Sequence, residues 1–301
     1  MNKIHPISGT QAADPNRVLR WSQERRLQFI DFRLQWDGKL NRADLTKFFQ
    51  ISVPQASMDI RQYMELAPDN LVYDRSSRLY AATPDFSPLF KTSGADQYMT
   101  QLLALERQTL EPMQTFIEMR PPLASVALPS RHIDPAALKI LLRAIAEQGK
   151  LKAHYQSIAR EEPLWRDISP HAFGHDGLRW HVRAYCHLRG GFRDFVLGRI
   201  LTVEPARASD VKARDDLEWH TLVELQLTAH PDLSASQRHG VEIDYGMENG
   251  RLALECRQAM LFYTLRSLNF ESTGEPRPGQ RQLVIANLQD VRHFMPQPGQ
   301  A

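Results

Sequence analysis

Arginine, histidine and aromatic side chains recur at every second position within residues 170–200, a spacing that places them on one face of a β-strand. Guanidinium groups hold phosphate oxygens through paired hydrogen bonds, and aromatic rings stack on nucleobases. These residue types therefore indicate a surface that binds an anionic ligand. A hairpin with one solvated polar face is the alternative, and the pattern alone leaves both open.

Two strands joined by a glycine turn are predicted to position these side chains. The first runs from Arg179 to His187 and the second from Phe192 to Ile200. The polar face of the first strand consists of His181, Arg183, Tyr185 and His187. One face of the second strand consists of Arg193, Phe195, Leu197 and Arg199. Trp180 falls on the apolar face and is predicted to be a core residue.

Further strands are predicted on the N-terminal side of this hairpin, at residues 151–158 and 165–168. A strand is also possible at residues 124–128, and a helix that Asp134 caps is predicted from Pro135. Several short antiparallel strands in succession are typical of a small Sm-like or SH3-like β-barrel.

The N-terminal part has the element order of a winged helix-turn-helix domain. A helix from about Arg17 precedes a short helix that Asn41 caps, and a third helix begins at Ser52 with Pro54 in its first turn. Two short strands, at residues 71–73 and 78–81, then form a wing. In this fold the third helix enters the major groove of DNA and the wing contacts the backbone.

The third helix and the wing carry residue types that bind DNA. Glutamine suits adenine, serine suits several bases, and arginine suits guanine or phosphate. Asp59 is predicted to face outward, whereas Val53 and Met64 are predicted to face inward. The residues expected to contact DNA are Ser52, Gln55, Ala56, Ser57, Arg61, Arg75 and Arg78. A winged helix that serves protein contact is the alternative.

After residue 205 the sequence becomes acidic and predicts a small α+β domain without visible chemistry. Strands are predicted at residues 219–227, 241–245, 252–256 and 283–286, with a helix at residues 258–268. The whole chain is therefore of the α+β class. The predicted domains are a flexible lead (1–16), the winged helix (17–92), a helical connector (93–119), the barrel (120–205) and the C-terminal domain (206–301).

The amino-acid composition and the motifs restrict the functions that this protein can have. The 301 residues are 42% hydrophobic and 24% charged, with a net charge of +2. Lysine and arginine outnumber acidic residues in residues 1–94 and 120–205, which favours anionic partners there. No membrane span or signal peptide is visible, so a cytoplasmic location is expected. The histidines and the two cysteines match no metal-ligand motif, and no catalytic motif is present, so neither a cofactor nor an enzymatic activity is expected.

The central stretch resembles the WYL domain, which is named for a Trp-Tyr-Leu tripeptide and folds as an Sm-like barrel. Trp180-His181-Val182 stands at the tripeptide, so only the tryptophan is kept. The flanking residues fit: Pro170-His171 before it, Arg193-Asp194-Phe195 and Gly198-Arg199-Ile200 after it. The whole chain resembles bacterial WYL regulators with an N-terminal winged helix and a C-terminal WCX extension, and within them the repressors found beside BREX and CBASS phage-defence islands.

This resemblance implies a homodimeric repressor that binds a palindromic operator of a phage-defence operon. The barrel would sense a nucleotide or nucleic-acid effector. The residues that match the family's pocket are Tyr155, Ser157, His171, Arg183, Arg193, Phe195 and Arg199. Structural ion pairs of Arg193 and Arg199 with Asp194, Asp176 or Glu204 remain an alternative. A ligand-sensing adaptor or activator whose winged helix contacts protein is the other possible function.

Overall fold

The structure is a computed structural model that describes residues 15–90, 94–270 and 281–295. Most of the predicted flexible lead therefore lies outside the described residues. The chain divides into two compact units between Ala127 and Leu128. Each unit has its own buried apolar cores.

The first unit has the predicted winged-helix order of helices and strands. Its elements are α1 (Pro15–Asp37), β1 (Lys39–Leu40), α2 (Arg42–Phe49), α3 (Val53–Leu66), β2 (Leu71–Asp74), β3 (Leu79–Ala82) and α4 (Ala95–Glu106). The sequence pattern does not predict β1, which pairs antiparallel with β3 and extends the wing to a three-stranded sheet in the order β1-β3-β2.

Side-chain caps explain where α2 and α3 begin. Asn41 and Asp44 form a reciprocal capping box at the start of α2, and α2 ends at Gln50 in the left-handed conformation (φ 53°). The Ser52 side chain accepts a hydrogen bond from the Gln55 backbone N–H, which caps α3. The turn between the two helices is therefore fixed by local hydrogen bonds.

A buried polar cluster ties the segment after the wing to the helices. The Tyr63 hydroxyl donates to Asp31 Oδ1 over 2.5 Å, and Asp31 also accepts from the backbone N–H groups of Leu89 and Phe90. Asn70 Nδ2 donates to the Tyr63 hydroxyl and to the Ser87 carbonyl. Burial and the Asp31 carboxylate raise the pKa of Tyr63, so its hydroxyl remains a donor.

The inward and outward faces of α3 differ from the prediction at three positions. Val53 and Met64 are 58% and 38% exposed, whereas Asp59 is 1% exposed. Asp59 is buried because Arg26 of α1 supplies its counter-charge. The connector helix α4 packs on its own chain, where its Leu102 forms a buried apolar cluster with Phe32 and Ile117.

The second unit begins with α5 (Pro135–Ala146), which packs on a six-stranded antiparallel sheet. Its strands are β4 (Gly149–Tyr155), β5 (Leu164–His175), β6 (Trp180–Cys186), β7 (Gly191–Val196), β8 (Ile200–Val203) and β9 (Arg207–Ala208). The order is β7-β6-β5-β4-β8, with β9 beside β4. Among the described residues no pairing joins β7 to β8 or β9, so the predicted closed Sm-like or SH3-like barrel is not confirmed.

Several predicted strand limits in this unit are wrong. β5 is longer than predicted, because a register shift between Pro170 and Ala172 lets pairing with β6 continue through Pro170. The second hairpin strand stops at Val196, and a 3₁₀ turn at Leu197–Arg199 separates it from β8. Residues 124–128 form no strand.

The C-terminal part forms a three-stranded sheet in the order β11-β10-β12, flanked by helices. Its elements are α6 (Leu217–His220), β10 (Leu222–Ala229), α7 (Ala235–Asp244), β11 (Leu252–Arg257), α8 (Leu261–Ser267), β12 (Leu283–Ile285) and α9 (Leu288–Val291). The strand predicted at residues 241–245 is wrong, because a capping box of Ser234 and Gln237 starts a helix that continues through Asp244.

Candidate nucleic-acid interface and ligand site

The N-terminal end of α3 presents short polar side chains. Ser52 is exposed and caps the helix by accepting from the Gln55 N–H. The Ser57 hydroxyl donates to the Val53 carbonyl over 3.0 Å, and Arg61 is exposed one turn further along. Side chains of this length and polarity can approach base edges in a major groove.

A buried ion pair holds Gln55 in place. Asp59 Oδ2 accepts from Arg26 Nε over 2.7 Å, and Asp59 Oδ1 accepts from Arg26 Nη2 over 3.2 Å and from Gln55 Nε2 over 3.0 Å. We call Arg26, Asp59 and Gln55 the α3 brace. The sequence pattern does not predict the pairing of Arg26 with Asp59, because it joins residues on two different helices and has no local signal.

Ala56 is the one predicted DNA contact that the structure excludes from the surface. It is 0% exposed and belongs to the core under α3, together with Ile60 and Tyr63. Its methyl group faces α1 and α2 because positions 56, 60 and 63 form the inward stripe of the helix.

The wing presents two exposed arginines. Arg75 lies in the turn between β2 and β3, and Arg78 follows it with a left-handed backbone (φ 60°). The turn is held by Asp74, which accepts from the hydroxyls of Ser76 and Ser77 over 2.6 Å each. These hydrogen bonds lower the pKa of Asp74 to about 2, so the carboxylate is charged at neutral pH.

Arg183, a predicted pocket residue, lies in a buried ion network that joins the WYL-like sheet to the C-terminal part. Its Nε donates to Asp216 Oδ2 over 2.7 Å, and its Nη2 donates to Asp216 Oδ1 over 3.0 Å and to Glu218 Oε2 over 2.7 Å. Its Nη1 lies 3.4 Å from Asp194 Oδ1. His171 Nε2 lies 2.9 Å from Asp216 Oδ2. We call Arg183, His171, Asp194, Asp216 and Glu218 the Arg183 network.

Burial and charge pairing act in opposite directions on the two buried carboxylates. Burial alone raises the pKa of Asp216, but hydrogen bonds from His171 and Arg183 outweigh it and hold the pKa of Asp216 well below its usual range. For Asp194 the effect of burial is larger than that of the charge pairing. Its pKa is raised although Arg183, His181 and the Tyr263 hydroxyl favour the ionised form. The Tyr263 hydroxyl donates to Asp194 over 3.2 Å, which adds a contact from α8.

The two aromatic residues of the predicted pocket pack in the core. Tyr155 and Phe195 are 8% and 3% exposed, with ring centroids 5.1 Å apart in an edge-to-face arrangement. The Tyr155 hydroxyl accepts from the Val196 N–H. Because both rings are covered by protein, neither offers a face to a base in this conformation.

The remaining pocket residues are spread around the sheet. Ser157 lies beyond the end of β4, Arg193 is exposed on β7, and Arg199 is half-buried in the 3₁₀ turn. Within the described residues neither Arg193 nor Arg199 forms an ion pair, so the alternative pairs with Asp194, Asp176 and Glu204 are not present. The structure therefore brings together Arg183 and His171 alone among the seven predicted residues, apart from the packed rings of Tyr155 and Phe195.

Trp180 is not the core residue that the alternation predicted. It is 48% exposed at the start of β6, and its ring lies 4.7 Å from that of His175. Trp180 shares a strand face with Val182 and Ala184, which join the sheet core, but it stands at the first position of β6 and is not part of that core. The polar face of β6 is buried as well, because His181 and Arg183 are covered by residues of the C-terminal part.

The described ranges contain neither a metal-binding cluster nor a membrane-spanning helix. No group of three or more His, Cys, Asp or Glu side chains there is arranged to hold a metal ion. No helix in the described part of the chain is long and apolar enough to cross a membrane.

Three family models match the chain in consecutive segments. Residues 22–104 match the BrxR transcriptional regulator winged helix-turn-helix domain, and residues 136–205 match the WYL domain. Residues 222–291 match the BrxR transcriptional regulator C-terminal dimerization domain. The fold and these matches define a winged-helix regulator of the WYL class.

Relatives that match more than nine-tenths of this chain show the family to which it belongs. A protein of Stenotrophomonas maltophilia is 47% identical over 279 residues, covering 92% of this chain and 93% of its own. Proteins of Escherichia coli (strain KTE188) and Pseudomonas aeruginosa are each 44% identical, with the same coverage. All three carry the name DNA-binding transcriptional repressor CapW. The chain belongs to the family of these CapW repressors.

Proposed function

We propose that this protein is a ligand-responsive, homodimeric transcriptional repressor that binds a palindromic operator and controls a phage-defence operon. The observation that carries the proposal is the polar N-terminal end of α3, where Ser52, Gln55 and Ser57 are held by a cap, a brace and a backbone hydrogen bond. A glutamine held in one orientation by a buried ion pair is preorganised to form hydrogen bonds with a base edge. The named activity of relatives that are 44–47% identical supports the same conclusion.

The C-terminal part supports a two-fold symmetric dimer. A dimer formed through the segment that matches a dimerization domain carries two winged helices. The operator then mirrors that symmetry, with half-sites one helical turn or a multiple of it apart. Arg75 and Arg78 on each wing add phosphate contacts that position the protein without reading sequence.

Ligand response is proposed to pass through the Arg183 network. The network fixes the WYL sheet to the residues just before β10 and, through Tyr263, to α8. A nucleotide or nucleic-acid effector on the sheet would shift this joint and thereby the geometry of the dimer. The same physical contacts thus couple sensing to the spacing of the two winged helices.

DNase I footprinting on the DNA upstream of the protein's own gene tests the proposal. We expect a protected site with two related half-sites about 10 bp or a multiple of that apart. Scrambling one half-site should abolish protection, whereas Arg143→Ala, an exposed arginine on α5, should leave it unchanged. Absence of any protected site at physiological salt would contradict the repressor function and favour a protein-docking role for the winged helix.

A further inference from the structure

A groove of about 430 Å³ lies in the second unit, away from the Arg183 network. One wall is the segment 129–133, which precedes α5. The other wall is formed by the ends of β5 and β6 and by the 3₁₀ turn at Leu197–Arg199. Its volume is in the range of small-molecule sites, and we call it the linker groove.

The linker groove is strongly basic. Arg131, Arg179 and Arg199 line it together with His132 and His175, and no acidic residue is among its lining residues. Arg179 is paired with Asp176 over 3.1 Å, but within the described residues Arg131 and Arg199 form no ion pair. Two arginines on opposite walls are therefore free to hold an anion between them.

An exposed aromatic ring lies beside these arginines. Trp180 also lines the groove, and 48% of its surface is exposed although tryptophan is highly buried on average. His175 lies beside the indole, with ring centroids 4.7 Å apart and the ring planes inclined by 58°. An exposed indole ring is a platform on which a base can stack.

The two walls touch at Gly198. A Cβ atom at this position would lie 2.7 Å from the backbone carbonyl oxygen of His132, which is too close for any other residue. The linker wall is therefore seated directly on the turn that carries Arg199. A ligand that bridges Arg131 and Arg199 acts on the segment that connects the sheet to the preceding unit along the chain.

We infer that the linker groove binds a nucleoside phosphate unit, with the phosphate between Arg131 and Arg199 and the base on Trp180. This inference rests on the proposed ligand response and names the site where the ligand enters. It places the ligand away from Arg183, whose guanidinium is already saturated by carboxylates. The same chemistry is offered by a free nucleotide and by one residue of a single-stranded oligonucleotide.

Calorimetric titration of the full-length protein tests the site. The probes are ADP, GDP, a 5′-phosphorylated oligothymidylate of five residues, and inorganic phosphate. We expect at least one nucleotide probe to bind, and Arg131→Ala or Arg199→Ala to weaken that binding at least about tenfold, since each removes a charge-assisted contact. Free nucleotide and oligonucleotide are distinguished by which probe binds more tightly.

Matched variants separate stacking from charge. Trp180→Ala should weaken binding about tenfold or more, whereas Trp180→Phe, which keeps a ring, should retain most of it. Arg189→Ala, an exposed arginine outside the groove, serves as the control. If inorganic phosphate binds as tightly as every nucleotide probe, or if no nucleotide binds, the inference is wrong.

Operator binding is measured in parallel so that the two proposals can fail separately. The ligand-free groove variants should bind operator DNA within about twofold of wild type, because the groove residues belong to the second compact unit and α3 belongs to the first. If nucleotide binding depends on Arg131 and Arg199 but no operator is bound, the linker groove is supported and the repressor function is contradicted. If the operator is bound but the variants keep the nucleotide affinity of the wild type, the repressor function is supported and the linker groove is contradicted.

Discussion

The arginines of the winged helix and those of the WYL sheet have the same chemistry but opposite surroundings. Arg61, Arg75 and Arg78 are exposed and form no ion pair within the described part of the chain. Arg183 is 4% exposed and lies among three carboxylates. A buried guanidinium needs full pairing, whereas an exposed one keeps its charge for an outside partner. Burial and pairing, rather than residue type, therefore separate structural arginines from ligand-binding ones.

The largest expected effect is on Arg183. Replacing it with alanine leaves Asp216 and Asp194 buried without their main counter-charge, which should lower the free energy of unfolding by about 3–5 kcal/mol. Thermal denaturation followed by circular dichroism measures the loss. If the variant is as stable as the wild type and has lost only ligand binding, Arg183 is a ligand-binding residue. Burial and pairing would then not separate structural from ligand-binding arginines.

The α3 brace should show an intermediate effect. Asp59→Ala leaves Arg26 without its carboxylate and Gln55 without its hydrogen-bond acceptor, and should cost about 1–3 kcal/mol of stability. The same change should lower affinity for the operator more than for random DNA, because Gln55 loses its fixed orientation. Equal losses on both DNA sequences would mean that the brace supports the fold without orienting a base-reading side chain.

Acid should weaken the Arg183 network in a defined pH range. The pKa of Asp216 is lowered in the folded state, so its contribution to stability is complete above the unfolded value of about 3.9 and is lost as the pH falls through the folded value. Asp194 has a raised pKa and contributes in the opposite sense, losing its contribution as the pH rises through the folded value. Urea unfolding between pH 2 and pH 7 should therefore show a smaller acid-side loss for Asp216→Asn than for wild type. An unchanged slope would contradict the assigned pairing.

Arg193→Ala should have the smallest effect. Its side chain is exposed on β7 and forms no ion pair within the described ranges, so the change in stability should stay within about 0.5 kcal/mol. This variant is the matched control for Arg183→Ala, since both arginines lie on neighbouring strands of one sheet. A loss comparable to that of Arg183→Ala would show that exposure does not distinguish the two.

The sequence predicted the parts of the fold that depend on local signals. Asn41 and Ser52 cap α2 and α3 where the cap preferences placed them, so the order of the winged helix was correct. β1 was missed because its two residues are too few to show alternation. The apolar spacing of residues 241–245 fits the periods of both a strand and a helix, and the capping box that begins seven residues earlier favours the helix.

The site was less predictable because its residues are set by contacts between distant elements. The sequence predicts that Asp59 faces outward, whereas in the structure it pairs with Arg26 of another helix. Arg183 looked like a pocket residue because Asp216 lies 33 positions away in a domain without visible chemistry. The linker groove combines residues near 131, 180 and 199, and no sequence period connects them.

The most direct test of the central claim is the specificity ratio of the α3 face, measured by fluorescence anisotropy with upstream DNA and with a scrambled duplex at two salt concentrations. Gln55→Ala should lower affinity for upstream DNA by about 1–3 kcal/mol and leave scrambled DNA unaffected, since it removes a base contact. Arg75→Ala should weaken both equally and reduce the salt slope by about one. Equal losses for Gln55→Ala on both duplexes, or no preference of the wild type for upstream DNA, would contradict a sequence-reading role for α3.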